Sequence, residues 1–186
     1  NALHGRFGED GYMQTILEEQ KIKYTHSGVL SSYVAMNKII SKEIFKKNKI
    51  LSPKYIKFNF HNYFFNKKKI TRKIESKLKF PVVIKPVNEG SSVGVYICSK
   101  KNIISNLKKL EKYQEILIEE YIGGREIQVA ILGKKKLGAI ELRPKRKFYD
   151  YKAKYNSNAK TEHLIPVDIS SKNMSKILNI ALKAHN

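Results

Sequence analysis

The 186-residue chain carries 37 Lys and Arg against 16 Asp and Glu, a formal net charge of +21, with 41% hydrophobic and 28% charged residues. That size and composition suit one globular domain or pieces of two and exclude a disordered chain. The single cysteine, Cys98, excludes an intrachain disulfide framework and any multi-cysteine zinc site. No apolar run approaches the roughly 20 residues that span a bilayer, and the opening Asn-Ala-Leu-His has neither an initiating Met nor the apolar core of a signal peptide. A reducing, cytoplasmic setting is the expectation. Of the 37 basic residues, 32 are lysine and five are arginine, spread along the chain. The densest run, Lys67-Lys68-Lys69 with Arg72 and Lys73 beside Phe64 and Phe65, reads as a solvated face ahead of a single-strand nucleic-acid site.

In chain order, Ser31 to Asn48 reads as one helix, capped by Ser31 or Ser32, with Met36, Ile40 and Ile44 on one face and Lys38 pointing away from it. Asn59 to Lys69 is irregular and reads as a loop. Pro81 to Lys85 is an apolar strand ending in a lysine, Ser92 to Cys98 a second strand after a Gly-Ser turn, and Lys100 to Lys112 a helix. Glu115 to Glu120 alternates as a strand, and Glu126 to Gly133 with Lys136 to Arg143 reads as a hairpin about Gly133. A polar, aromatic-rich loop runs from Pro144 to about Thr161, and a helix from Ser171 to the end. The class is therefore α+β, with antiparallel sheets and helices on one face.

The segment Pro81-Val-Val-Ile-Lys85-Pro86-Val-Asn-Glu89-Gly90-Ser91-Ser92-Val93-Gly94-Val95 carries the most chemistry. A strand delivers Lys85 to its end. A short loop then follows, in which Gly90 and Gly94 allow backbone angles a β-carbon forbids, and Ser91 and Ser92 add hydroxyls to exposed amides. Such a loop can cradle phosphate oxygens while Lys85 neutralises them. It is not a Walker A loop, and an ordinary Gly-Ser hairpin turn accounts for this segment alone about as well. Glu119-Glu120-Tyr121-Ile122 and Gly123-Gly124-Arg125-Glu126 place acidic groups where one strand ends and the next begins, suited to an adenine amino group and ribose hydroxyls.

Through these segments the chain resembles the ATP-grasp superfamily and, within it, the D-alanine:D-alanine ligase family. His4-Gly5-Arg6-Phe7-Gly8-Glu9-Asp10-Gly11 looks like that family's His-Gly-x-x-Gly-Glu-Asp-Gly, and Tyr24-Thr25-His26-Ser27-Gly28 before Lys38 looks like its passage into the central domain. The phosphate loop and Phe148-Tyr149-Asp150-Tyr151-Lys152-Ala153-Lys154-Tyr155 complete four motifs in the family's order.

The resemblance implies an ATP-grasp fold, two antiparallel-sheet lobes with helices gripping the nucleotide between them, incomplete at both ends. It divides the chain into a remnant of a first substrate domain at 1–37, a central domain at 38–126 and part of a C-terminal lobe at 127–186. It implies that Lys38 and Lys85 contact phosphates beneath a loop of Glu89, Gly90, Ser91, Ser92, Val93 and Gly94, that Glu119 and Glu120 lie at the adenine edge, and that Glu126 holds the ribose. Lys154 on an omega loop at about 146–161 would reach a terminal phosphate, Tyr155 would bond toward Ser91 over the substrate, and His4 would line the pocket for a second D-alanine.

The implied reaction uses ATP with magnesium or manganese to make D-alanyl-D-alanine through an acyl phosphate, for peptidoglycan precursors. A Tyr at position 155 accompanies dipeptide formation, whereas Phe there accompanies D-lactate acceptance. The implied partners are D-alanine and ATP, with no nucleic acid or membrane, and the family dimerises through its first lobe. That lobe is expected before Asn1 and the metal ligands beyond Asn186, so the 186 residues alone are expected to lack ligase activity and to be marginally stable. The alternatives are a D-alanine:D-lactate type of ligase, a degenerate remnant that keeps some nucleotide affinity, and a basic nucleic-acid-binding module.

Overall fold

The computed structural model describes residues 1–61, 67–144 and 161–186. It forms two compact units, residues 1–44 with 52–121 and residues 45–51 with 122–186. The first unit thus includes residues 1–37 without a division after them, and its second boundary follows Tyr121.

The first unit opens with the Gly-rich turn of residues 4–11 and helix α1 (Tyr12–Glu19). Gly11 sits at φ 95°, and a β-carbon there would come within 2.8 Å of the Val29 carbonyl oxygen, so this glycine is required both by its backbone angle and by close approach. The stretch read as one helix is two, α2 (Val29–Met36) and α3 (Lys38–Lys47). Asn37 adopts an extended conformation between them, and its Oδ1 accepts the amides of Ile39 and Ile40 at 3.1 Å each. A local side-chain acceptor has outcompeted helix continuation and caps the second helix. The break also overturns the expected stripe: Ile39 and Lys42 are the buried positions of α3, and Ile44 is exposed.

Strands β1 (Tyr55–Asn59), β2 (Val82–Pro86), β3 (Tyr96–Cys98) and β4 (Glu115–Glu120) form an antiparallel sheet in the order β1-β4-β2-β3. Helices α4 (Lys67–Lys77) and α5 (Ile103–Lys109) cover one face, where Ile70, Ile74, Ile103 and Leu107 pack with Ile56, Phe58, Val82, Ile84, Cys98, Ile116 and Ile118. The strand period of two turns Leu117 to the opposite face, where it meets Ile39 of α3, Val87 and Tyr55. Helices therefore lie on both faces of this sheet rather than on one, which is why all four central residues of β4 are buried.

Cys98 is fully buried, accepts a hydrogen bond from Asn106 Nδ2 at 3.4 Å, and has its thiol pKa pushed up by burial, as suits a small core residue. The lysines at 67–69 and Arg72 lie on the outer face of α4 around buried Ile70 and Ile74, the arrangement of a solvated face. Expected strand 92–98 shortens to 96–98, because residues 91–94 are turn.

In the second unit, β5 (Glu126–Leu132), β6 (Lys135–Arg143) and β7 (Glu162–Leu164) form an antiparallel sheet, with Gly133 at φ 56° in the β5–β6 turn. Helix α6 (Ser171–His185) packs on β5 and β6, with Met174, Ile177, Leu178, Ala181 and Leu182 half-buried. The Ser170 Oγ accepts the Asn173 amide at 3.3 Å as its N-cap. Among the described residues, no helix is long and apolar enough to cross a membrane.

Ile84 pairs with Ile118 and Tyr96 at the centre of the first sheet and has no exposed surface. Replacing it with alanine is expected to destabilise the first unit by about 2 to 5 kcal/mol through lost burial and a residual cavity. Urea unfolding should show a lower midpoint at unchanged slope, whereas the same truncation at Leu51, 94% exposed, should change stability by less than about 0.5 kcal/mol.

Candidate nucleotide-binding site

The second face of the first sheet concentrates charge. On β2, Ile84 faces the core, so Lys85 faces the other way; on β4, Ile118 faces the core and Glu119 the other way. The register pairs Val83 with Glu119 and Lys85 with Leu117, so Lys85 and Glu119 are diagonal neighbours on one face. Lys85 Nζ pairs directly with Glu119 Oε1. Helix α3 adds Lys42, whose Nζ lies 3.0 Å from Glu119 Oε2 and donates to the Pro53 carbonyl at 2.9 Å. The Glu119 side chain is 7% exposed, Lys42 8% and Lys85 21%. A buried carboxylate thus sits between two lysines, the counter-charges such a group needs, although its Oε2 accepts no aligned hydrogen bond and Lys42 holds it as an ion pair alone.

Lys38, one turn before Lys42, turns to the loop that follows β2. Its Nζ donates to the carbonyl oxygens of Val87, at 3.2 Å, and Glu89. Burial, and then the nearby Lys85 cation, pull its pKa down to about 8. Among the described residues Lys38 forms no ion pair, although the Glu89 and Glu119 carboxylates are near enough to offset part of its lowered pKa, and the Glu119 that pairs with Lys85 is shared with Lys42. An anion placed there would relieve their mutual repulsion.

The loop itself departs in detail from its sequence reading. The left-handed angles fall on Ser91 (φ 48°) and Ser92 (φ 60°) as well as on Gly94 (φ 68°), whereas Gly90 lies outside that region and a β-carbon on it would meet nothing within 4 Å. Gly94 is the constrained glycine, since a β-carbon there would come within 2.9 Å of the Pro86 ring. The Val93 amide closes the turn onto the Gly90 carbonyl at 2.9 Å. Two consecutive left-handed serines are unusual outside functional loops.

The remaining candidates have varied surroundings. Glu120 Oε1 accepts the Lys54 amide at 2.9 Å, which ties the end of β4 to the start of β1. Glu126 is exposed at the start of β5, in the second unit. In the first turn of the chain, Glu9 Oε2 accepts the Gly5 amide at 2.5 Å and Asp10 accepts those of Phe7 and Tyr12 at 3.2 Å, so both motif carboxylates fold their own loop. His4, 90% exposed and 3.7 Å from Glu9, lines a cavity of about 270 Å³ with Gln14, His26 and Ser31. Lys154 and Tyr155, with the 148–155 motif, lie outside the described residues.

Sequence reasoning missed two groups. Lys42 is one; its i+4 spacing from Lys38 was the available signal. The other is Glu141 in β6, whose side chain is 2% exposed. Arg125 donates to it at 2.8 and 2.5 Å, Arg143 at 3.1 and 3.3 Å, and Arg125 also donates to the Asp168 carbonyl at 2.8 Å.

These hydrogen bonds, Arg125's first, hold the Glu141 pKa down to about 2. A lowered carboxylate pKa contributes stability above its unfolded value of 4.5 that is lost as pH falls toward 2. The second unit is therefore expected to lose stability across that window, and Glu141→Gln to flatten the loss, as read by acid titration of circular dichroism.

The described residues do not fit a magnesium site. They contain no cluster of three or more His, Cys, Asp or Glu able to hold a metal, and the buried Glu119 and Glu141 carboxylates are each engaged by two cations.

Comparison with known proteins places the chain in a family. A family profile described as "D-ala D-ala ligase C-terminus" matches residues 44–186. The chain is 68% identical over 185 residues to the D-alanine--D-alanine ligase of Pelagibacter ubique (strain HTCC1062), covering all of this chain and 60% of that protein. Among solved structures, it is similar to the D-alanine--D-alanine ligase from Bacillus anthracis, with TM-score 0.81 and 35% identity over 99% of this chain and 59% of that one. It is also similar to that enzyme complexed with ATP, with TM-score 0.77 and 29% identity over 99% and 57%. The chain thus spans about three fifths of the length of the relatives it matches.

Proposed function

We propose a function from the premise that this chain belongs to the D-alanine:D-alanine ligase family: its residues form the nucleotide-gripping part of an ATP-dependent enzyme that joins two D-alanine molecules. The observation that carries this reading is the pair Lys38 and Lys85 at the root of the Glu89–Gly94 loop, with Lys38 forming no ion pair among the described residues and its pKa lowered to about 8. Two close cations beside a tight loop with backbone amides and serine hydroxyls suit a polyphosphate.

In this reading the terminal phosphoryl group of ATP passes to the carboxylate of the first D-alanine. The amine of the second then attacks that acyl carbon and inorganic phosphate leaves. The protein's part is positioning, charge neutralisation and exclusion of water from the acyl phosphate. Lys38 and Lys85 hold phosphates under Ser91 and Ser92, Glu119 and Glu120 stand at the adenine edge, and Glu126 takes the ribose. Lys154 and Tyr155 belong to the lid, and His4 to the second D-alanine. Residues 1–37, 38–126 and 127–186 then divide by role, as the end of a substrate domain, the central domain and part of a C-terminal lobe, in a cytoplasmic protein.

The test is titration of the 186-residue chain with ATP and magnesium, beside phosphate release with D-alanine by a chain lengthened at both ends to what its gene encodes. Saturable ATP binding, competed by ADP but not by an arbitrary oligonucleotide, is expected, with D-alanine-dependent phosphate release from the longer chain. Absence of ATP binding, or binding displaced equally by an oligonucleotide, would overturn the reading.

A further inference from the structure

The two lysines on Glu119 are not equivalent. Lys42 is held from three directions: its Nζ lies 3.0 Å from Glu119 Oε2, donates to the Pro53 carbonyl at 2.9 Å, and sits 5.2 Å from the centroid of the Tyr55 ring. It is the more buried of the two and lies on α3, beside Ile39 in the cluster with Leu117 and Val87. Among the described residues Lys85 is tethered to Glu119 Oε1 alone; it keeps a fifth of its side chain exposed and stands close enough to Lys38 to depress that residue's pKa. When a polyanion reaches this end of the sheet, Lys85 is the cation able to turn toward it, and Lys42 is not.

That movement has an electrostatic condition. Glu119 is buried, and a buried carboxylate left without a counter-charge is strongly disfavoured. If Lys85 were its only partner, phosphate binding would strand Glu119, and the lysine would be held back. With Lys42 3.0 Å from the second oxygen and itself anchored on the Pro53 carbonyl, Glu119 keeps a counter-charge throughout. We infer that Lys42 is a positioning residue of the nucleotide site: it stays on Glu119 as a fixed counter-charge, which frees Lys85 to exchange between Glu119 and the nucleotide phosphates. This inference rests on the nucleotide reading of the site.

The experiment is a double-mutant cycle with two readouts on the 186-residue chain. In the first, ATP with magnesium is titrated into the unsubstituted chain and into Lys42→Met, Lys42→Arg, Glu119→Gln and Lys42→Met/Glu119→Gln. The expected result is a loss of about tenfold or more in affinity for Lys42→Met, recovery with Lys42→Arg, and less than about twofold further loss when Lys42→Met is added to Glu119→Gln, where no charge remains to be stranded. A merely structural lysine would cost the same in both backgrounds, and that outcome overturns the inference.

The second readout needs no nucleotide. In the resting chain either lysine alone suffices for Glu119, so Lys42→Met and Lys85→Met should each lower the unfolding midpoint modestly and the pair should lower it by clearly more than their sum. Additive losses overturn the inference whether or not ATP binds. A failure of the unsubstituted chain to bind ATP alongside a more-than-additive loss would count instead against the nucleotide reading.

Discussion

Replacement of Lys85 by methionine is expected to weaken ATP binding by about 10- to 150-fold, the equivalent of one charge-assisted hydrogen bond of roughly 1.5 to 3 kcal/mol. Methionine keeps much of the side-chain stem and removes the ammonium group. Glu119 keeps Lys42 at 3.0 Å, so the fold should persist and the loss should fall on the ligand. Salt must be controlled, because a chain of net charge +21 attracts any polyanion at low ionic strength. At about 0.15 M the screening length is near 8 Å and most of that general attraction is gone. Lys68→Met removes the same charge from the exposed face of α4 and should leave affinity within about twofold under these conditions. Equal effects from the two substitutions would mean that ATP is held by diffuse charge rather than at the end of β2.

The elements that carry the site were legible to different depths, for physical reasons that can be named. The bounds of strand β4 match the sequence reading, but the expected alternation does not hold, because helices on both faces bury all four central residues; the β5–β6 hairpin was readable because Gly133 takes a positive φ. The break at Asn37 was hidden, since a helical pattern running through an asparagine does not reveal whether its side chain will cap the next turn or face solvent. Lys38, Lys85 and Glu119 stood out as candidates because each lies in a motif. Lys42 and Glu141 were not, since a lysine on a helix and a glutamate in a strand look like surface residues until distant partners bury them. Glu119 is 77 residues from Lys42, and Arg125 is 16 residues from Glu141. Burial of a charge is a property of the pair, and local periodicity does not contain it.

On the proposed nucleotide reading, the lowered pKa of Lys38 makes binding sensitive to pH in a specific direction. Burial and the adjacent Lys85 cation bring it to about 8 in the ligand-free chain, so it is largely protonated at pH 7 and largely neutral at pH 9. A phosphate beside it favours the ammonium form and raises its pKa, and ATP is fully ionised above pH 8, so binding there must take up a proton. Calorimetric titrations at pH 7 and pH 9, each in two buffers of different ionisation enthalpy, are expected to show little uptake at pH 7 and a clear fraction of one proton at pH 9. Affinity should fall by up to about tenfold per pH unit above 8. Lys38→Met should remove both the uptake and the slope, and Lys85→Met should reduce them, because it deletes the charge that helps lower the Lys38 pKa. The ligand-free chain carries the complementary signature. Between about 8 and 10.5 the unfolded chain retains a proton that the folded chain has released, so the Lys38 contribution makes the fold more stable as pH rises through that window. An affinity that stays level from pH 7 to pH 10, with no proton taken up, would place Lys38 away from the phosphates.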